Sequence, residues 1–96
     1  MAELATVLDP DGRSVVLTRE RWRHITSRSG HPELSSHLAE VLLAVRNPSV
    51  RLAGRRPEEE WFYLADAGPS RYLKVVVAFS ANRGYIVTAF ARRSLP

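Results

Sequence analysis

Arg71-Tyr72-Leu73-Lys74-Val75-Val76-Val77-Ala78-Phe79 is the most apolar run in the chain, and its β-branched and aromatic content reads as a strand. Ser80-Ala81-Asn82-Arg83-Gly84 follows as a hairpin loop and leads into a second strand over residues 85–91. Before the run, a turn at Ala67-Gly68-Pro69 connects it to residues 60–65, where Trp61 and Tyr63 alternate with Phe62 and Leu64. A short strand over residues 49–53 and a Gly54-Arg55-Arg56-Pro57 turn complete an antiparallel meander. Lys74 interrupts the apolar run where a branched aliphatic residue would pack better, and burying its charge unpaired is costly. The position implies either the solvated face of the sheet or a cleft that uses the charge.

Towards the amino terminus, residues 5–8 and 14–17 are short apolar stretches separated by the turn signal Asp9-Pro10-Asp11-Gly12, which predicts a small hairpin. Thr18 is suited to cap a helix over residues 19–28. In that helix Trp22 and Ile25 share the side facing the core, while Arg21, His24 and Arg28 form another stripe. Ser29-Gly30 ends it, and Pro32 at the first helical position opens a second. Leu34, Leu38, Val41, Leu42 and Val45 then recur at helical period until Asn47-Pro48. A hairpin, two N-terminal helices and an antiparallel meander define an α+β fold, expected as a single domain over residues 1–96.

The 45% hydrophobic content is ample for one small core. With no cysteine there is neither a disulfide framework nor a thiolate zinc site, which fits a reducing cytoplasm. The first residues lack the basic and long apolar segments of a signal peptide, and no apolar run is long enough to cross a bilayer, so a soluble cytoplasmic protein without membrane contact is expected. A net charge of +4 invites a polyanionic partner. Arginine supplies that charge thirteen times and lysine once, at Lys74. A single lysine suggests that a compact ammonium, rather than a planar fork, is wanted at that point. Glu58-Glu59-Glu60 reads as a solvated start to a strand, and it marks where a phosphate groove should not run.

His24 on the first helix, Lys74 on the central strand and Thr88 on the last strand are the candidate chemical groups. Pairing of the last two strands puts Lys74 opposite Thr88 or a near neighbour, with Thr88 sharing a face with Ile86, Phe90 and Arg92. A histidine, a lysine, a hydroxyl and arginines suffice for RNA cleavage without a metal. A base takes the 2′-OH proton, a cation stabilises the phosphoryl oxygens, and an acid protonates the departing 5′-oxygen. Each group also has an ordinary reading: His24 as a surface helix residue, and Thr88 as a good strand former. His31 precedes Pro32, where it caps or packs, or serves as a second acid or base. His37 lies outside the apolar stripe and is expected to be solvated. Arg92 and Arg93 either contact phosphates or keep the chain soluble, and Trp61, Phe62, Tyr63, Tyr72 and Tyr85 either stack bases or pack across strands. The histidines lack a metal-ligand spacing such as His-Glu-x-x-His, so no metal and no cofactor is assigned.

Thr18-x-Glu20-Arg21-Trp22-x-His24-Ile25, His31-Pro32-Glu33-Leu34, Asn47-Pro48, Trp61-x-Tyr63, Tyr72-Leu73-Lys74-Val75-Val76-Val77 and Val87-Thr88-Ala89-Phe90 occur in this order. The set resembles the phage-associated branch of the barnase–EndoU–colicin–RelE-like (BECR) nuclease superfamily, from about Val15 to Arg92. The resemblance implies two helices on one face of a curved antiparallel sheet, with a cleft that accepts RNA. It also implies metal-independent endoribonuclease activity of the kind found in toxins, and hence an acidic antitoxin or immunity protein as a partner. On this resemblance His24, Lys74 and Thr88 are catalytic positions and His31 is a further motif histidine, counted with them as a catalytic candidate; the residues themselves add Arg21, Arg28 and Arg92 to hold the nucleic acid. The superfamily varies in its catalytic residues, so a catalytically inactive RNA-binding or protein-interaction module of the same fold is the competing expectation. The shortage of lysine also departs from ribosome-dependent members.

Overall fold

Asp9 organises the first turn. Its carboxylate accepts hydrogen bonds from the backbone N–H groups of Asp11 (3.0 Å) and Arg13 (2.8 Å), and Gly12 adopts the φ of 80° that reverses the chain. Strands β1 (Glu3–Leu8) and β2 (Ser14–Thr18) therefore pair as the expected N-terminal hairpin. The computed structural model describes residues 2–96. The Thr18 hydroxyl accepts from the Arg21 N–H at 3.1 Å and caps helix α1 (Arg19–Ile25).

Helix α1 stops three residues short of the expected end. The Thr26 and Ser27 hydroxyls turn back onto the carbonyls of Trp22 and His24, and the His31 N–H closes onto the Ile25 carbonyl at 2.6 Å. A Cβ at Gly30 would come within 2.6 Å of that carbonyl, so only glycine fits the closure. The expected continuous second helix is also divided. Pro32–Leu34 forms one 3-10 turn, and helix α2 begins only at Leu38 and runs to Arg46. Ser35 and Ser36, poor interior helix residues, occupy the break.

Strands β3 (Val50–Ala53), β4 (Glu59–Ala65), β5 (Tyr72–Ser80) and β6 (Arg83–Arg92) form the meander. The six strands make one sheet in the order β1-β2-β6-β5-β4-β3. Two expectations are corrected here. The sheet is mixed rather than antiparallel, because β2 runs parallel to β6 over Ser14, Val15 and Val16. The helices are not N-terminal to the sheet but lie between β2 and β3. Local apolar pattern identifies each strand but carries no information about which distant edge the hairpin joins. No helix among the described residues is long and apolar enough to cross a membrane.

Side-chain alternation sorts β5 cleanly. Leu73, Val75 and Val77 enter the core with Val41 and Val45 of α2 and Ile25 of α1, whereas Lys74 and Val76 point to the other face. A bulge refines the expected grouping on β6: Val76 pairs with Thr88 but Val77 pairs with Ile86, leaving Val87 as an extra residue. Ile86 therefore joins the core, and Thr88, Phe90 and Arg92 remain on the Lys74 face.

Glu60 is not the solvated residue its run suggested. It bridges the guanidinium groups of Arg13 and Arg51, each at 2.9 Å, and these reach back to Asp9 and Asp11. Arg13 also lies 3.6 Å above the Phe79 ring, so the network closes one end of the core. Arg13 holds the Glu60 carboxyl below the ordinary carboxylate range, with Arg51 assisting. A group with a depressed folded pKa contributes stability above its ordinary pKa and loses it as pH falls through the folded value. Glu60→Gln is therefore expected to flatten the acid side of the stability-versus-pH profile, measured by urea unfolding. Ala81 at the β5–β6 turn has φ of 57°, so Ala81→Gly should stabilise the protein by about 1 kcal/mol, seen as a higher melting temperature.

Candidate functional site

The β4–β5–β6 ladder places Lys74 between Tyr63 and Phe90, its direct partners on the two flanking strands. The ammonium lies 3.5 Å from the centre of the Trp61 ring, 5.3 Å from Phe90 and 5.7 Å from Tyr63. Three aromatic rings thus surround a lysine that is only 6% exposed. This is neither a solvated sheet face nor an empty cleft. Trp61 is held in place by its indole N–H, which donates to the Glu59 carboxylate at 2.8 Å. Burial pushes the Lys74 pKa down and the charge of Arg92 adds to it; Glu59 pulls the other way, and Arg55 lowers it a little further. Among the described residues no carboxylate forms an ion pair with the Lys74 ammonium.

Thr88 faces the same side, one diagonal step from Lys74, and is half-buried. His31 reaches this region through Phe90: the two rings stack at 5.4 Å between centres and 27° between planes. Its Nδ1 also lies 3.6 Å from the Glu33 carboxylate. It makes no side-chain capping bond, so packing is its observed role in the free chain. His24 stands elsewhere on α1, lining a shallow depression of about 330 Å³ with Thr18, Glu20 and Arg21. Trp22 and Ile25 pack α1 against the core side of the sheet, whereas Lys74 occupies the other side. The structure thus groups Lys74 and Thr88 on one face, connects His31 to them through Phe90, and sets His24 apart.

The arginines divide similarly. Arg92 pairs across from Tyr72 on the Lys74 face. Arg21 borders a narrow groove of about 190 Å³ between the diverging ends of β2 and β6, with Tyr85 and Val87 on its wall. Arg28 is exposed in the tight loop after α1. Lys74 lines neither of the roomier surface depressions, one of about 560 Å³ beside the β3–β4 turn and one of about 700 Å³ between the β4–β5 turn and Arg93. His37 is paired with Glu40, whose other oxygen accepts from the Gly68 N–H at 2.9 Å, so it ties α2 to the β4–β5 turn rather than standing in solvent.

Glu59 and Phe90 were not evident as site residues. Their importance follows from cross-strand register, which decides that Phe90, rather than Thr88, is the direct partner of Lys74. Among the described residues no three His, Cys, Asp or Glu side chains gather as a metal site would require. No protein-family model, curated protein or solved structure matches this chain.

The cation–π contacts of Lys74 stabilise by about 0.5–2 kcal/mol and offset part of its desolvation cost. Lys74→Met keeps the length of the side chain and removes the charge, and it is expected to raise the melting temperature. Between the depressed folded pKa and the ordinary lysine value the unfolded chain binds the extra proton, so wild-type stability should rise with pH across that window. Denaturant titrations at increasing pH check this, and Lys74→Met should lack the rise.

Proposed function

We propose that the face of the sheet carrying Lys74 binds single-stranded RNA and that the chain is a metal-independent endoribonuclease, as its motifs suggest. The observation that supports this best is a cation without a carboxylate partner among the described residues, set beside Thr88, Arg92 and a histidine-backed aromatic ring. In this reading Lys74 stabilises charge on the phosphoryl oxygens, and Thr88 positions one of them. His31 is the proton carrier on this face, because His24 lies with α1 on the other side of the sheet. It removes the 2′-OH proton, the 2′-oxygen bonds to phosphorus, and the P–O5′ bond breaks as a water molecule supplies a proton to the leaving oxygen. The products are a 2′,3′-cyclic phosphate and a 5′-hydroxyl end.

Arg92, Arg21 and Arg28 hold the backbone, and Tyr85, 43% exposed, offers a stacking surface for a base. His31 shares Phe90 with Lys74, so it is assigned the step closest to the scissile phosphate. An acidic antitoxin or immunity protein would neutralise the chain by covering this face. One observation favours the competing reading of a binding module without chemistry: the π face of Trp61 already occupies the ammonium. That reading predicts salt-sensitive RNA binding without turnover.

Purified protein incubated with RNA in EDTA is expected to produce cyclic-phosphate ends, detected by sequencing of new termini. Lys74→Ala should lower kcat about a hundredfold. His31→Ala should cost more activity than His24→Ala. Full activity in the Lys74→Ala/His31→Ala double variant would refute the assigned roles, and binding with no cleavage of any RNA would establish the module instead.

A further inference from the structure

We propose that the Tyr63 hydroxyl is a second donor in the Lys74 site, and that it takes a phosphate oxygen. The inference deepens the nuclease reading and rests on it for the identity of the phosphate. Tyr63 is the direct β4 partner of Lys74 and is 0% exposed. Its hydroxyl is the buried side-chain polar atom without a hydrogen-bond partner among the described residues. Buried hydroxyls are normally satisfied, and one left unmade is a cost that the fold must carry for a reason.

The surroundings favour an anion. The Tyr63 ring lies 5.7 Å from the Lys74 ammonium, and Tyr72 meets it edge-on at 6.5 Å, which fixes its orientation. Burial raises the Tyr63 pKa while the charge of Arg92 acts the other way, so the phenol stays protonated and can donate. Lys74 and Arg92 are cations, and the hydroxyl adds a neutral donor to them. Neither Lys74 nor Arg92 has an ion-pair partner among the described residues, which suits an oxyanion, and a phosphodiester oxygen offers lone pairs for both charge and hydrogen bond. The hydroxyl is covered in the free chain, so the anion reaches it once the side chains over it part. A tyrosine kept only for packing would be served as well by phenylalanine.

Tyr63→Phe tests this, because it removes one oxygen and keeps the ring. The variant is expected to melt at or above the wild-type temperature without ligand, since no satisfied bond is lost. Inorganic phosphate should raise the wild-type melting temperature and have little effect on the variant. With RNA, kcat should fall about a hundredfold. A variant that melts below wild type in the absence of ligand, or that keeps the full phosphate response, overturns the inference even when the wild type cuts RNA. A wild type that shows no phosphate response overturns it too. A phosphate response dependent on Tyr63 in a wild type that neither binds nor cuts RNA supports the anion site and overturns the nuclease reading instead.

Discussion

The double-edged pairing of β5 is the constraint on which the rest depends. It is hydrogen-bonded to β4 on one edge and to β6 on the other along nearly its whole length. Both its faces are covered, by the helices on one side and by aromatic rings on the other. A slip of one residue would drive Lys74 into the aliphatic core and turn Val75 out under the rings. Neither exchange is tolerable, so the register is fixed from both faces at once. The same register delivers the ammonium to Trp61, Tyr63 and Phe90.

The protein treats its charges in two ways. At one end of the core, Arg13 pairs with Asp9, Asp11 and Glu60, and Arg51 with Asp11 and Glu60, so each cation has at least two acids within reach. These planar groups lie over Phe79 and Phe62 and complete the apolar packing while meeting their own charge. On the other face Lys74 has aromatic faces for neighbours and is pressed towards its neutral form. A chain able to pair cations so thoroughly at one site leaves this one without an ion pair among the described residues. That contrast, within one sheet, carries more weight than the overall positive charge.

Much of this architecture is legible in the residues themselves. The Asp9-to-Gly12 turn, the Thr18 cap and the apolar alternation of β5 each specify local geometry directly. The helix lengths were less legible, because the Thr26 and Ser27 hydroxyls compete for carbonyls that helical period alone would leave to the backbone. The parallel β2–β6 contact joins segments far apart in the chain and has no local signature. The bulge at Val87 depends on both strands together, and it moves Ile86 to the core while leaving Thr88 outside. Lys74 was recognisable as anomalous, but its cage needs the register of three strands. The orphaned Tyr63 hydroxyl is a property of packing, and nothing in an alternating Trp61-Phe62-Tyr63 pattern announces it.

The parallel contact between β2 and β6 also orders events in time. β2 precedes the helices and β6 follows the whole meander, so the hairpin gains its inner neighbour only after the final strand has formed. Contacts of such large sequence separation must overcome the entropy of closing a long loop before they stabilise anything. During synthesis the helices and β3 emerge without a finished sheet to cover. The face that holds Lys74 is built from β4, β5 and β6, with its last wall supplied by Phe90 near the end of β6. The nascent chain therefore carries no assembled site, and any activity of that face begins only when the strand bearing Thr88, Phe90 and Arg92 has been made and docked.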